Sequence, residues 1–249
     1  MKILLSGLKG FMGCEVAKLC AAGIRNAELT AGVDIKADGT ENVPCAVSFE
    51  SAQTDVDCVI DFSHFSVTDS LLAFCTANNL PLVLATTGHT ETQKDAIKKA
   101  AAQIPIFYAA NYSMGIALLI ELAKKTASAF PEADIEIVET HHNRKADAPS
   151  GTALAIFDAI KEVRSKAVKK LGRGGMCKRT PEEIGIHAIR MGNITGIHEV
   201  IIGTQNQTIT LKHEAHSRAL FAEGALAAAE YIISKGPGLY SMKNLIEGE

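Results

Sequence analysis

The feature that most constrains the fold is a glycine-rich turn near the N-terminus, Gly7-Leu8-Lys9-Gly10-Phe11-Met12-Gly13. It follows the apolar run Lys2-Ile-Leu-Leu-Ser, which favours a strand, and precedes a helical segment from Cys14 to Ala22. A second strand, from Ala27 to Asp34, ends on an acidic residue. Such a unit is typical of dinucleotide-binding folds, because glycines let a pyrophosphate approach the helix N-terminus and the acid binds the ribose. A generic strand, turn and helix without a nucleotide is the alternative.

Three further apolar runs predict the rest of a parallel sheet: Cys58-Val-Ile-Asp-Phe, Leu82-Val-Leu-Ala and Ile106-Phe-Tyr-Ala. Helical segments at 66–78 and 91–103 alternate with them. Ligands bind at the carboxyl ends of the strands in such sheets. We therefore expect residues 61–63 to line a cofactor crevice, together with the residues assigned here to cofactor binding: Gly7, Leu8, Lys9, Gly10, Phe11, Met12, Asp34, Ala85, Thr86, Thr87, Ala109, Ala110, Asn111 and Tyr112.

The pattern changes after Tyr112. A helix at 115–130 and a strand at 134–140 are followed by widely alternating strands at 185–190, 196–203 and 208–213. Such alternation favours a mostly antiparallel sheet with one face packed on helices. The alanine-rich helix at 218–234 is expected to return to the first domain. We predict an α/β fold with a Rossmann-like parallel-sheet nucleotide domain, residues 1–112 with 218–249, and a second α+β domain, residues 113–217, with a mixed or antiparallel sheet.

Most of the chemistry is concentrated between Glu139 and Thr152. Ser150 is a plausible helix N-cap, and the backbone N–H groups of Gly151 and Thr152 would then form an anion site at the positive end of the helix dipole. His141 and Lys145 are the candidates for proton transfer. A solvated loop before an ordinary capped helix is the alternative.

His141 and His142 are neighbours at a strand end, where successive side chains point in opposite directions. One is expected to face the reaction and the other a carboxylate. The same geometry argues against joint chelation of a metal, and no metal site is predicted. Asp147 is expected to hold the loop.

Composition excludes several classes of function. The formal net charge is −3, which gives no indication of nucleic-acid binding, and the basic run 166–179 is interpreted as a mobile surface loop. No apolar run approaches the ~20 residues of a membrane span. The six cysteines show no C-x-x-C spacing and are interpreted as buried free thiols of a reducing compartment. We expect a soluble, cytoplasmic protein.

Several motifs occur in chain order over nearly the whole length: Gly7-x-x-Gly10-x-Met12-Gly13, Asp61-Phe62-Ser63, Thr86-Thr87-Gly88, Ala110-Asn111-Tyr112-Ser113-Met114-Gly115, Glu139-x-His141-His142-x-x-Lys145-x-Asp147-Ala148-Pro149-Ser150-Gly151-Thr152, Arg190-x-Gly192-x-Ile194-x-Gly196-x-His198 and His213-x-Ala215-x-Ser217-Arg218. In these motifs the chain resembles the 4-hydroxy-tetrahydrodipicolinate reductase (dihydrodipicolinate reductase) family of the bacterial and plant lysine pathway. The stretch from the paired histidines to Thr152 is the most specific of them.

The resemblance implies an enzyme that uses NADH or NADPH to reduce a small cyclic dicarboxylate, with loss of water, to tetrahydrodipicolinate. It implies that His141 and Lys145 are the catalytic acid/base pair. The residues expected to bind the substrate are His142, Ser150, Gly151 and Thr152. It also implies a homotetramer built through the sheet of the second domain.

Three positions depart from the family pattern. Ile35 stands where family members that favour the phosphorylated cofactor commonly carry arginine. Phe11 stands where many relatives have arginine, and Ala85 replaces the glycine often found before Thr86-Thr87. Asp34 would repel a 2′-phosphate, whereas Lys9 and Lys36 could neutralise one. We therefore expect dual use with NADH preferred. Two alternatives are a catalytically silent NAD(P)-binding protein and a dehydrogenase of an open-chain amino-dicarboxylate.

Overall fold

The computed structural model describes residues 1–248, which form two compact units. The first unit combines Met1–Ser113 with the chain from Ala219 onward, and the second is Met114–Arg218. Each boundary lies one residue from the position that the sequence predicts. Strands and helices are numbered here along the chain.

The first unit is built on a seven-stranded sheet in the order β12-β6-β5-β4-β1-β2-β3. All of its strand pairs are parallel, which confirms the predicted Rossmann-like domain. Its strands are β1 (Lys2–Ser6), β2 (Glu28–Val33), β3 (Cys45–Ala46), β4 (Cys58–Asp61), β5 (Leu82–Leu84), β6 (Pro105–Tyr108) and β12 (Gly238–Tyr240). Its helices are α1 (Phe11–Ala21), α2 (Thr68–Ala77), α3 (Glu91–Ala101), α6 (Ala219–Ile232) and α7 (Met242–Glu247).

The central strands of this sheet are covered on both faces. Ile3, Leu4 and Leu5 are adjacent along β1 and all fully buried. A strand with two covered faces needs a continuous apolar run rather than an alternating one. The run therefore forms the middle of the sheet, and the carboxyl ends of β1, β2 and β4 meet at one edge.

The second unit contains a five-stranded sheet in the order β11-β10-β7-β9-β8. Its strands are β7 (Asp134–His141), β8 (Val168–Leu171), β9 (Glu183–Arg190), β10 (Gly196–Gly203) and β11 (Thr208–Ala215), and its helices are α4 (Met114–Ala129) and α5 (Gly151–Val163). The sheet is antiparallel from β7 through β10 to β11, but β7, β9 and β8 are parallel. It is therefore mixed rather than mostly antiparallel, because α5 lies in the connection that follows β7 and lets the chain return in the same direction.

Alternation along β7 decides which residues reach the core of this unit. Ile135 and Ile137 are fully buried and pack with apolar residues of α4 and α5. Glu139 and His141 continue the same buried set two and four residues later. A strand repeats every two residues, so the polar pair points to the helix-covered face of the sheet.

Some expectations from the sequence need correction. The basic run 166–179 is not wholly a loop, since it contains β8, which pairs with β9 at the sheet edge. All six cysteines are free, but Cys14 is exposed and Cys45 and Cys177 are only half-buried. Within residues 1–248, no helix combines the length and hydropathy that crossing a membrane requires.

Candidate active site

Glu139 is the centre of a polar cluster in the second unit. Its side chain is fully buried, and its two oxygens accept hydrogen bonds from both terminal nitrogens of Arg190 at 2.8 and 2.7 Å. The backbone N–H of Ser150 donates to the same carboxylate at 2.9 Å. Burial alone would raise the pKa of Glu139, but the donors from Arg190, His141 and Ser150 outweigh it and hold the pKa below its usual value. The carboxylate is therefore an anion at neutral pH.

His141 is oriented by this carboxylate. Its Nδ1 lies 2.5 Å from Oε2 of Glu139, and because the carboxylate can only accept, Nδ1 carries the hydrogen. This assignment leaves Nε2 as the atom that can take or give a proton. A Cβ at position 196 would lie 3.1 Å from that Nε2, so Gly196 leaves space for the ring.

His198 and Ser150 form the next layer of the cluster. The His141 and His198 rings meet edge to face, with centroids 5.2 Å apart. His198 Nε2 lies 3.1 Å from the Ser150 hydroxyl, which also accepts from the Ala153 N–H and thereby caps α5. Burial lowers the pKa of His198 to about 4, with the nearby His141 acting in the same direction. His198 is therefore neutral, and the Ser150 side chain makes its bonds inside the protein.

The loop after β7 carries Lys145. The Lys145 ammonium lies 2.8 Å from the Asp147 carboxylate, and this hydrogen bond is the main reason that the pKa of Asp147 is below its usual value. The Asp147 carbonyl accepts from Arg190 at 2.7 Å. Asp147 thus holds both the lysine and the loop.

His142 lies on the other side of the strand end from His141. Its backbone N–H donates to the Ile194 carbonyl at 2.8 Å, which ties the loop to the β9–β10 connection. Desolvation, assisted by the charge of Arg144, lowers the pKa of His142, so the ring is neutral at pH 7. Its Nδ1 is buried and has no hydrogen-bond partner among residues 1–248, which leaves it available to a ligand.

The first turn of α5 adjoins open space. A Cβ built on Gly151 meets no atom within 4 Å. The N-terminal N–H groups of a helix lack partners within the helix and lie at the positive end of its dipole. The turn at Gly151 and Thr152 therefore suits a carboxylate of a small ligand.

The carboxyl edge of the first sheet contains a cleft of about 730 Å³. Four of the predicted cofactor residues line it, namely Gly7, Lys9, Gly10 and Asp34. A Cβ at Gly7 would lie 2.7 Å from the Phe62 carbonyl oxygen, and one at Gly13 would lie 2.1 Å from the Gly7 oxygen. Only glycines fit this turn, as close approach of a pyrophosphate requires.

Asp34 closes the cleft on the other side of the turn. It accepts from the backbone N–H groups of Lys9 and Lys36 at 2.8 and 2.9 Å. A carboxylate has more acceptor positions than these two bonds use, so Asp34 can still bind ribose hydroxyls. The residues of the cleft thus fit a dinucleotide.

Other predicted cofactor residues lie outside the lining of this cleft. Leu8 is buried beneath the turn, whereas Phe11 is 62% exposed. The Thr86 hydroxyl donates to buried Asp61 at 2.6 Å, and the Tyr112 hydroxyl donates to the Leu84 and Phe107 carbonyls. Half-buried Met12 belongs to the first turn of α1, and the remaining predicted residues follow β5 and β6: Ala85, Thr87, Ala109, Ala110 and Asn111.

Two family models match the chain: dihydrodipicolinate reductase, N-terminus, over residues 1–112, and dihydrodipicolinate reductase, C-terminus, over residues 115–246. The chain belongs to the dihydrodipicolinate reductase family. Members of this family are oxidoreductases, and the chain is accordingly an enzyme of that class.

Individual relatives agree over full length. The 4-hydroxy-tetrahydrodipicolinate reductase of Clostridium novyi (strain NT) is 42% identical, covering 100% of this chain and 99% of that protein. The reductase of the same name from Caldanaerobacter subterraneus subsp. tengcongensis is also 42% identical, covering 99% and 98%. The dipicolinate-bound dihydrodipicolinate reductase from Paenisporosarcina sp. TG-14 superposes with a TM-score of 0.83 at 26% identity, covering 98% of each chain.

Sequence reasoning gave no role to Glu139, Arg190 or His198, although all three belong to the family motifs. One signal was present: an acidic residue two positions before His141, on a strand whose alternate residues are apolar, must be buried with it. The contribution of Arg190 depends on the parallel pairing of β7 with β9, which the sequence did not predict.

The buried His198 predicts an acid-sensitive fold. Its pKa of about 4 in the folded protein lies below the ordinary 6.5 of an unfolded chain. The unfolded state therefore binds the extra proton first, and stability that is complete above pH 6.5 is lost as the pH falls toward 4. Between pH 7 and 5 this residue should lower the free energy of unfolding by about 2 kcal/mol. Urea unfolding at the two pH values measures the loss.

His198→Gln should remove this part of the decline, because glutamine does not titrate. His216→Gln, at an exposed histidine of the same unit, should retain it. An equal decline in His198→Gln and the unsubstituted protein, at one protein concentration, would contradict the assignment.

Proposed function

We propose that this protein catalyses the NADH- or NADPH-dependent reduction of (4S)-4-hydroxy-tetrahydrodipicolinate to tetrahydrodipicolinate, with loss of water, in diaminopimelate and lysine biosynthesis. The observation that carries the proposal is the buried Glu139–His141 pair in a cluster that also contains cationic Lys145. The family of the chain and its relatives support the same reaction. Its six free cysteines fit the reducing cytoplasm.

The substrate would be bound through its carboxylates. One carboxylate suits the first turn of α5, at Gly151 and Thr152, where backbone N–H groups and the helix dipole stabilise an anion. The buried Nδ1 of His142 offers a further hydrogen bond. Since the Ser150 hydroxyl is already bonded to His198, Ser150 acts by capping and aiming this turn.

His141 and Lys145 would move the protons. Gly7, Gly10 and Asp34 of the glycine-lined cleft would hold the nicotinamide cofactor, which would supply the hydride. Hydride addition to a conjugated imine places negative charge on ring carbon or nitrogen, and cationic Lys145 would stabilise that charge and deliver a proton. His141 would exchange a proton at Nε2, since its Nδ1 hydrogen is committed to Glu139.

We further propose that both cofactors are used and that NADH is preferred. Asp34 would accept from the two ribose hydroxyls and repel a 2′-phosphate. Its neighbour Ile35 is apolar and 80% exposed, so it offers no charge to a phosphate. Lys36 is the remaining base next to Asp34.

Oxidation of NADH and NADPH by the purified protein tests the function, with the preceding synthase supplying fresh cyclic substrate. We expect turnover with both cofactors and a higher kcat/KM for NADH. A kcat/KM for NADPH more than about tenfold above that for NADH, which is ~1.4 kcal/mol of transition-state stabilisation, would refute the preference.

The variant Lys145→Ala tests the catalytic role of this lysine in the same assay. It should lose most turnover yet bind NADH as before, because Lys145 belongs to the second unit and the nucleotide cleft to the first. Absence of turnover with either cofactor in unsubstituted protein that binds NADH would favour a silent nucleotide-binding protein instead.

We also propose a homotetramer formed through the sheet of the second unit. The face of this sheet opposite α4 and α5 carries Val138, Ile197 and Ile201, which are only half-buried in the single chain. Sedimentation equilibrium should give four times the 26.4-kDa mass of one chain. Ile201→Glu should lower that mass, because it places a charge on the proposed interface. A monomer mass for the unsubstituted protein at micromolar concentration would reject the assembly.

A further inference from the structure

Lys9 of the glycine turn is held by two carboxylates. Its ammonium lies 2.9 Å from Oδ2 of Asp38 and 3.0 Å from Oε1 of Glu41. The Lys9 side chain is 28% exposed and that of Glu41 only 7%. The hydrogen bonds that the Lys9 ammonium donates, first to Asp38 and then to Glu41, raise the pKa of Lys9.

The segment that follows β2 is built to present these carboxylates. Glu41 accepts from the backbone N–H groups of Asp38 at 3.1 Å and Gly39 at 3.0 Å. Asp38 accepts from the hydroxyl and the backbone N–H of Thr40 at 2.6 and 3.1 Å. Gly39 has a φ of +83°, a conformation that other residues rarely adopt. These bonds fix both acids independently of Lys9.

The two carboxylates offset the positive charge that Lys9 contributes to the nucleotide cleft. Lys9 lines the cleft together with Asp34 and Lys36. In the sequence alone, Lys9 and Lys36 could balance Asp34 and a 2′-phosphate. In the structure, Lys9 already faces two anions, and a dianionic phosphate near Asp34 would have to compete with them for the ammonium.

We propose that Asp38 and Glu41 are specificity-determining residues that hold Lys9 away from the 2′-phosphate of NADPH and so favour NADH. The inference rests on the nucleotide-binding role proposed above for this cleft. Asp38 and Glu41 would then determine the cofactor preference together with Asp34. The preference for NADH would depend on where the Lys9 ammonium is held and not on the number of basic side chains near the cleft.

Isothermal titration calorimetry with NADH and NADPH tests this directly, because it does not need turnover. In Asp38→Asn with Glu41→Gln, the ratio of the NADPH to the NADH dissociation constant should fall at least tenfold, since Lys9 is released. The pair 2′,5′-ADP and 5′-AMP should show the same change, which locates the effect at the 2′-phosphate. Adding Lys9→Met to the double variant should abolish the gain.

Asp55→Asn with Glu91→Gln is the matched control. It removes two exposed acids of the same unit that also pair with lysines, so the net charge changes equally while Lys9 stays held. Its ratio should equal that of the unsubstituted protein. An equal fall in this control would show a general charge effect and overturn the proposal.

Two further outcomes are decisive. If the double variant does not fold, Asp38→Asn alone should still lower the ratio by about threefold, and an unchanged ratio in a folded variant would overturn the proposal. If neither the unsubstituted protein nor any of the variants shows reductase activity, the proposed function is rejected. The binding ratios would then still report on Asp38 and Glu41 separately.

Discussion

The buried carboxylate of Glu139 depends on four hydrogen bonds that come from different parts of the second unit. Two come from Arg190 at the end of β9, one from His141 at the end of β7, and one from the backbone that begins α5. An unpaired charge in such a place costs several kcal/mol, and removal of one partner from a buried ion pair typically costs about 3–5 kcal/mol. The positions of β9, the helix start and the histidine are therefore linked through one side chain.

The rest of the proposed chemistry follows from this link. Arg190 also donates to the Asp147 carbonyl, and Asp147 holds Lys145, so the same arginine connects the two residues proposed to transfer protons. In the first unit a separate set of constraints shapes the nucleotide cleft. There the glycine turn and Asp34 line the cleft, and the ammonium of Lys9 is paired with Asp38 and Glu41.

Much of this could be predicted from the sequence, and the failures have physical causes. The continuous apolar run of β1 and the glycine turn define the nucleotide domain, and Ser150 was recognisable as a cap from its position before the helix. The pairing of Lys9 with Asp38 and Glu41 could not be predicted from the sequence. The two acids lie about thirty residues beyond Lys9, on an irregular segment that has no periodicity. The side chains of Thr86 and Tyr112 turn inward to Asp61 and to backbone carbonyls, and a motif does not show which way a side chain points. The parallel direction of β9 relative to β7 was also missed, because it depends on the connection through α5.

Glu139 fixes the hydrogen of His141 on Nδ1, and nitrogen-15 NMR of the histidine side chains measures the position of that hydrogen directly. At a pH where the ring is neutral, His141 should show a protonated Nδ1 and an unprotonated Nε2, and Glu139→Gln should convert it to a mixture of tautomers. Glu136→Gln is the matched control: Glu136 lies on the opposite face of β7 from Glu139 and bonds His187 of β9, so this substitution should leave the His141 signals unchanged. Identical His141 signals in the unsubstituted protein and in folded Glu139→Gln would contradict the account.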